Sequence, residues 1–520
     1  MRIALIADDW GNKILFSHSS LDPISIEVVA GYLQDNGFSD FKLFQRRTSP
    51  EIFVNEIESY KPDILAVSAN FITRTPGLID ICRQLKSKND HLITIWGGFH
   101  PDIEYRNGTS ENLLKFDEID ILIPGTTGNA LVVLKNLLTN IEKGSNWQIT
   151  EGALFRTNDK IAGKELCHGE HVKLPKPYRD STYLRNNKII GVTLPSMECQ
   201  RIAATYISMG CSAGCTFCPS RLTKSNRRSP ADVVNEMMQL KNDYGINYIY
   251  FTDPTFNAPE ARNDILDFAD RSRLSGLNFT AMLRVIPDEE LFRKLRDAGG
   301  QRFAFGVETL NPETKKEYGK NIDLSTTIET FRLCDSLGIT TRAFLIFGAL
   351  SDSFDSINET LYYLTEYVQP DEICVKTLTP VPGTPEWSIY SKKGLLNRIS
   401  VPDDWNKMGF DTLIFDHPSL SNADLIIIKE NFYENYYQSS SYKKHVLMKI
   451  EAFPILMKPY YAFFHHLNKQ HIFPLIEDMY KSQNARIQVS LHSQYAQNHI
   501  VKNIDLNFNV MNNPMKLRKI

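Results

Sequence analysis

An α/β protein in three parts is predicted: a doubly wound parallel sheet, a partial (β/α)6 barrel and a mainly helical C-terminal region. Three observations predict it. Short apolar runs alternate with amphipathic stretches over residues 1–145, and the same alternation returns over 203–396. It is lost over residues 401–520. Strands that alternate with helices imply parallel sheets covered by those helices. A chain of 520 residues has room for about three domains.

In the first part, strands are expected at 2–7, 41–45, 63–69, 92–96 and 119–123. Helical patterns fall at 24–34, 50–60, 78–86 and 130–141, with a weaker one at 109–115. The N-terminus turns acidic at Asp8-Asp9. That is too early for a leader peptide, so it reads as a buried first strand. Ligands of doubly wound sheets bind at the carboxyl ends of the strands. Those ends carry Ser68-Ala69-Asn70, Gly97-Gly98-Phe99-His100 and Pro124-Gly125-Thr126-Thr127-Gly128. Small residues there let a large flat ligand approach the backbone. Residues 146–202 read as a connector, with a hairpin at 153–156 and 160–162 around Asn158-Asp159. Leu174-Pro175-Lys176-Pro177 is extended, because proline restricts its own torsion and that of the residue before it.

The barrel strands are expected at 204–208, 248–252, 279–283, 302–307, 342–347 and 373–378. Helices follow at 230–243, 259–272, 287–297, 325–336 and 356–367, with Pro230, Pro259 and Pro287 in first turns. Six units make an open relative of the eight-unit barrel, with its chemistry at the strand C-termini. In 397–520, aromatic residues gather at Phe432, Tyr433, Tyr436, Tyr437, Tyr460, Tyr461, Phe463 and Phe464. They read as helix core covering the barrel mouth, or else as contacts to a hydrophobic substrate or membrane surface. The end from about residue 483 is polar and expected to be poorly ordered.

Composition narrows the function. Lys and Arg total 58 against 61 Asp and Glu, a formal charge of −3. This gives no electrostatic case for a nucleic-acid partner. No apolar run nears the roughly 18 residues of a transmembrane span. Of eight cysteines, Cys82, Cys167, Cys199, Cys334 and Cys374 are scattered, while Cys211, Cys215 and Cys218 cluster. Too few for a disulfide scaffold, they fit a reducing, cytoplasmic setting.

The cluster is Gly210-Cys211-Ser212-Ala213-Gly214-Cys215-Thr216-Phe217-Cys218-Pro219, spaced Cys-x3-Cys-x2-Cys, directly after a predicted strand. Three thiolates on one loop can each bind an iron of a single cluster, leaving one iron of a 4Fe-4S cubane open. A structural zinc site is the alternative; it wants four closed ligands, with the distant Cys199 as the fourth. A third possibility is three incidental cysteines.

This loop resembles the signature of the radical SAM superfamily. The resemblance implies a 4Fe-4S cluster held by Cys211, Cys215 and Cys218, with S-adenosyl-L-methionine chelating the open iron. Reductive cleavage then yields a 5′-deoxyadenosyl radical. Phe217 is expected near the adenine. Further motifs resemble the family's strand ends: Phe251-Thr252-Asp253-Pro254-Thr255-Phe256-Asn257, Leu283-Arg284, Phe305-Gly306-Val307-Glu308-Thr309, Phe347-Gly348 and Pro380-Val381-Pro382-Gly383-Thr384-Pro385. They imply cofactor contacts by Asp253, Glu308 and Gly348, and a catalytic role for Arg284. Asp253 reads alternatively as a helix cap, Glu308 and Arg284 as structural ion pairs, and the glycines as turn residues.

Residues 1 to about 440 resemble the branch in which a cobalamin-binding, Rossmann-like domain precedes the radical SAM barrel. Lys61-Pro62-Asp63-Ile64-Leu65-Ala66-Val67-Ser68, Trp96-Gly97-Gly98-Phe99-His100-Pro101 and Ile119-Asp120-Ile121-Leu122-Ile123-Pro124-Gly125 carry the likeness. So do Gly152 to Arg156, Leu174 to Asp180, and Asp404-Trp405 with Pro418 to Tyr437. By this resemblance Ser68, Gly97, Gly98 and Gly125 line the cobalamin site. No D-x-H-x-x-G motif is present, so the lower cobalt face is expected to lack a histidine, and His100 reads as a loop histidine. The branch's Gly-Glu-Gly-Glu is Gly125-Thr126-Thr127-Gly128 here. A Rossmann-like fold with an empty pocket is the alternative.

The implied activity is methylation of an unactivated carbon of a small-molecule, lipid or peptide substrate, with electrons from a donor such as flavodoxin or ferredoxin. A radical SAM epimerase, cyclase or oxidase with a vestigial first domain is the second expectation, and a non-catalytic iron–sulfur or zinc protein the third. A methylthiotransferase fits less well. Its extra N-terminal three-cysteine cluster and basic C-terminal domain are not evident.

Overall fold

The computed structural model describes residues 1–7, 24–45, 49–125, 128–158, 160–163, 172–179, 201–221, 223 and 225–453. Asp8, Asp9, Thr126, Thr127, Asp159, Cys167, Asp180, Cys199, the aromatic residues 460–464 and the polar end from 483 lie outside the described residues.

The first sheet contains β1 (Ile3–Ala7), β2 (Phe41–Phe44), β3 (Ile64–Ser68), β4 (Ile93–Gly97), β5 (Ile121–Leu122), β6 (Leu154–Thr157) and β7 (Lys160–Gly163). Their order is β2-β1-β3-β4-β5-β6-β7. The first five are parallel, and β6 and β7 add an antiparallel edge. The expected hairpin therefore extends the first sheet to Gly163. The parallel strands are nearly continuous apolar runs because both faces are covered. The helices are α1 (Ile24–Asp35), α2 (Pro50–Tyr60), α3 (Thr75–Lys86), α4 (Phe99–Asn107), α5 (Glu111–Leu114) and α6 (Asn129–Glu142). Helix α4 corrects the sequence reading, which left Gly97 to His100 as a loop. Gly98, at φ +98°, turns the chain into the helix, and Pro101 sits in the first turn, where its missing N–H costs nothing.

The second sheet is six parallel strands in the order β15-β14-β13-β12-β11-β8, open between its two edges. They are β8 (Ile202–Thr205), β11 (Tyr248–Phe251), β12 (Asn278–Leu283), β13 (Gly300–Glu308), β14 (Thr340–Phe347) and β15 (Glu372–Thr377). A small antiparallel pair, β9 (Ser208–Met209) and β10 (Asn226–Arg227), frames the cysteine loop. The helices between strands are α7 (Pro230–Tyr244), α8 (Arg262–Ser272), α9 (Glu289–Asp297), α10 (Pro312–Glu317), α11 (Leu324–Ser336), α12 (Phe354–Tyr363) and α13 (Pro385–Lys392). Ser229 caps α7 ahead of Pro230, as expected of an N1 proline. Pro287, by contrast, lies outside its helix, because Asp288 takes the cap by accepting from Leu291 N. Beyond the barrel, α14 (Asn422–Gln438) and α15 (Ser440–Ala452) pack against the edge strand β15, and α15 reaches its N-terminal end, whereas the sequence reading set this region over the barrel mouth. Tyr433 and Tyr437 hydroxyls accept from Val375 N and Ile373 N of β15.

The two sheets are welded by charge as well as by a shared apolar core. Arg179, in the extended connector, pairs with Glu27 of α1 at 2.6 Å and with Glu236 of α7. Arg228 meets the other Glu236 oxygen at 2.6 Å. All four side chains are buried. Burial alone would raise the Glu236 pKa, but the two arginines hold it below the ordinary carboxylate value. On the opposite side, Trp405 packs edge-on to His100 of α4, ring centres 4.7 Å apart.

Candidate active site

The cysteine loop leaves β9 through Gly210, at φ +89°. Cys211 N donates to Thr223 Oγ1 at 2.8 Å, and Thr223 N donates to Cys211 O at 3.0 Å, which closes the base of the loop. Its middle is held from the barrel. Thr216 N donates to Tyr318 O at 3.1 Å, and Thr216 Oγ1 lies 2.9 Å from both Glu317 O and Glu386 Oε1. The Phe217 ring packs edge-on to Tyr318 at 5.2 Å. The three thiols are half-buried and free of disulfides. Burial raises the Cys215 pKa and pushes Cys218 up to about 11.

Three thiols on one loop suit a multi-iron cluster taking one thiolate per iron, whereas a structural zinc calls for a fourth ligand. Among the described residues, Asp335, Asp371 and His445 bring three metal-capable atoms within 4.8 Å of one another. That place is filled by Lys449 Nζ, 2.7 Å from Asp335 and 2.5 Å from Asp371, and ties α15 to the closed end of the barrel.

Every barrel residue singled out from the sequence lies at a strand's C-terminal end, yet their side chains differ in what they touch. Asp253 is fully buried. It accepts from Ile207 N, and from Ser208 N and Ser208 Oγ at 2.6 Å each. It therefore fixes the turn from β8 into the cysteine loop. It caps no helix, and its carboxylate is engaged by Ile207 and Ser208. This also explains why β8 stops at Thr205, short of the expected residue 208.

Glu308 ends β13 with φ +63°, a conformation that non-glycine residues avoid. The register with β14 skips Val307, so the strand bulges there. Its carboxylate meets Lys320 Nζ at 2.7 Å, and the same ammonium donates to Gly306 O at 2.7 Å. Burial opposes the Lys320 charge, yet Glu308 and the Cys215 thiol leave its pKa raised. Arg284 follows β12. Its backbone is locked to Asn257 in both directions: Arg284 N donates to Asn257 Oδ1 at 2.6 Å, and Asn257 Nδ2 donates to Arg284 O at 3.2 Å. Its half-buried guanidinium acts electrostatically on Cys215 and Glu260. Gly348, at φ +101°, has Leu413 and Leu425 over its Cα, which assigns it to packing against the C-terminal segment. Lys320, Thr255 (Oγ1 3.3 Å from Cys211 Sγ) and Glu386 also belong to the site. Thr255 lies within a motif read from the sequence, whereas Lys320 and Glu386 carry no such signal.

In the first sheet, Ser68, Asn70, Gly97, Gly98, Phe99 and Gly125 form a half-exposed ledge at the ends of β3, β4 and β5. A Cβ on Gly98 would come within 2.9 Å of Ala69 O and Asn70 Oδ1. The ledge suits a flat ligand laid on backbone. His100 is wholly buried, with Nδ1 2.6 Å from Thr75 Oγ1 and Nε2 3.3 Å from Glu104. Both ring nitrogens are engaged, so it offers none to cobalt. It lies in α4, not in a loop. Helix α4 also bridges to the cysteine loop: Arg106 Nη1 donates to Pro219 O at 2.8 Å. The C-terminal ends of the two sheets thus meet at the loop.

Two family models match parts of the chain. Residues 205–364 match the radical SAM superfamily model, and residues 17–133 match the B12 binding domain model. An uncharacterized methyltransferase of Pyrococcus horikoshii is 23% identical over 394 residues, 74% of this chain and 77% of that protein. The anaerobic magnesium-protoporphyrin IX monomethyl ester cyclase of Cereibacter sphaeroides is 23% identical over 461 residues, 85% of this chain and 71% of that protein. Among solved structures, OxsB, a cobalamin-dependent S-adenosylmethionine radical enzyme with aqua-cobalamin and S-adenosylmethionine bound, superposes with a TM-score of 0.66 at 15% identity. It covers 98% of this chain and 81% of that one.

Proposed function

The chain belongs to the radical SAM superfamily, its barrel preceded by a B12-binding domain, and on that premise we propose that it transfers a methyl group to an unactivated carbon of a small-molecule, lipid or peptide substrate. The observation that carries this reading is the Arg106 bond to Pro219, which ties α4, the helix that starts at the ledge of the first sheet, to the cysteine loop. When bound, the cluster and cobalamin supply the electron that splits S-adenosyl-L-methionine and the carrier of the methyl group.

The protein's own residues hold and orient. Cys211, Cys215 and Cys218 hold the cluster, and Asp253 sets the angle at which their loop leaves β8. Phe217 offers an apolar face to the adenine. Glu308 presents its carboxylate from a strained backbone, with Lys320 balancing its charge. Arg284 would supply a cation close to Cys215. Ser68, Gly97, Gly98 and Gly125 would support the corrin. A flavodoxin or ferredoxin serves as reductant.

The second reading, a radical enzyme that does not methylate, is favoured by the likeness to the cyclase. One experiment separates them: anaerobic reconstitution with iron, sulfide and hydroxocobalamin, then gel filtration. Methyl transfer requires corrin absorbance to travel with the protein; protein that emerges without corrin sinks it. In the same preparations, Cys215→Ala is expected to lose iron, sulfide and 5′-deoxyadenosine formation together. A variant that kept all three would contradict the cluster assignment.

A further inference from the structure

The barrel lumen carries a cation that none of the foregoing roles uses. Strand registers place Gly306, Phe344 and Cys374 side by side, and Ile346 beside Lys376, with alternate residues facing the covering helices. The helix-facing set, such as Phe305, Leu345 and Val375, is buried. The opposite set, with Tyr250, Met282, Phe344, Ile346, Cys374 and Lys376, is half-exposed despite lying in a sheet packed by helices. Half-exposure confined to one face marks an open chamber. Its floor is closed by Arg302 and Arg342, which share the carboxylate of Glu372.

Lys376 sits near the mouth on β15, the edge strand farthest in sheet order from the cysteine-bearing side. Its side chain is 40% exposed, and Asp411 lies 3.2 Å away, itself 32% exposed. A pair this open is weak and exchangeable. Enclosure works against the ammonium, yet Asp411 and then the Cys374 thiol leave its pKa above the ordinary lysine value, so it stays charged. Lys429 Nζ, which donates to Asp411 O at 2.9 Å, stands as a second cation on this side of the chamber, so Asp411 faces two ammonium groups.

We propose that Lys376 is the substrate anchor: it exchanges Asp411 for the anionic group, carboxylate or phosphate, of a substrate whose body is apolar. This deepens the methyl-transfer reading and rests on it for the lumen as reaction chamber. The full-length protein is titrated calorimetrically with dodecanoate, dodecyl phosphate and dodecanol, all below their micelle-forming concentrations. At least one anionic probe is expected to bind about tenfold more tightly than the alcohol, roughly 1.4 kcal/mol. Whether the phosphate or the carboxylate leads identifies the anion. Lys376→Met should abolish that preference with dodecanol affinity unchanged, and Lys376→Arg should keep it. Equal affinity for all three probes, or a preference that survives Lys376→Met, overturns the proposal. Corrin retention by the same preparations is scored separately: its loss counts against methyl transfer and leaves the anion preference standing.

Discussion

Glu308 combines a left-handed backbone, a strand bulge and a buried carboxylate within one residue. Such combinations persist where the surroundings over-determine them, and here Lys320 is the main restraint. Removing one partner of a buried pair leaves the other charge uncompensated. Lys320→Ala is therefore expected to lower unfolding free energy by roughly 3 kcal/mol, read by denaturant titration. The double variant Lys320→Met/Glu308→Gln should recover most of that loss. A single variant as stable as wild type would refute the pairing. At this scale the sequence is informative only where partners are local. Three cysteines within eight positions declare themselves. Lys320, Asp411 and Glu386 do not, because each meets its partner across a long stretch of chain with no spacing rule. Asp253 was placed correctly in the fold, but the burial that turns its carboxylate toward Ser208 is invisible in a motif.

Among the elements, the parallel strands were legible because burial on both faces writes them as apolar runs. Helix α4 was not, since Gly97-Gly98 and Pro101 are ordinary loop signals and the helix lacks a clear apolar stripe. Its role as the bridge to the cysteine loop was hidden with it. The segment entering α13 makes a second bridge. Glu386 is almost wholly buried, and its Oε2 has no hydrogen-bond partner. Burial pushes its pKa up to about 8. The folded state therefore keeps the proton that the unfolded chain loses near the ordinary value of 4.5. Wild-type stability falls as pH rises between those two values. Glu386→Gln mimics the neutral acid, so it should melt higher than wild type at pH 8, the gap narrowing toward pH 5. A gap independent of pH would contradict the protonated state of Glu386.

Across the whole molecule, the weld of Glu27, Arg179, Glu236 and Arg228 fixes the first sheet against the barrel. Arg179→Ala leaves two buried carboxylates short of a shared cation, at a cost of roughly 3–5 kcal/mol. The Glu236 pKa is depressed, so its contribution is present above the ordinary carboxylate value of 4.5 and lost as pH falls through the folded value. The difference between wild type and Arg179→Ala should thus shrink under acid conditions, read by denaturation across pH. A constant difference would place the effect elsewhere.

The central claim is that cobalamin on the first sheet and the cluster on the cysteine loop share one cleft. Electron paramagnetic resonance of reconstituted protein, poised with cob(II)alamin and a reduced cluster, tests it most directly. Spin–spin coupling is expected to broaden or split the cobalt signal and to disappear in Cys215→Ala. An uncoupled cob(II)alamin signal beside an intact reduced cluster would contradict it.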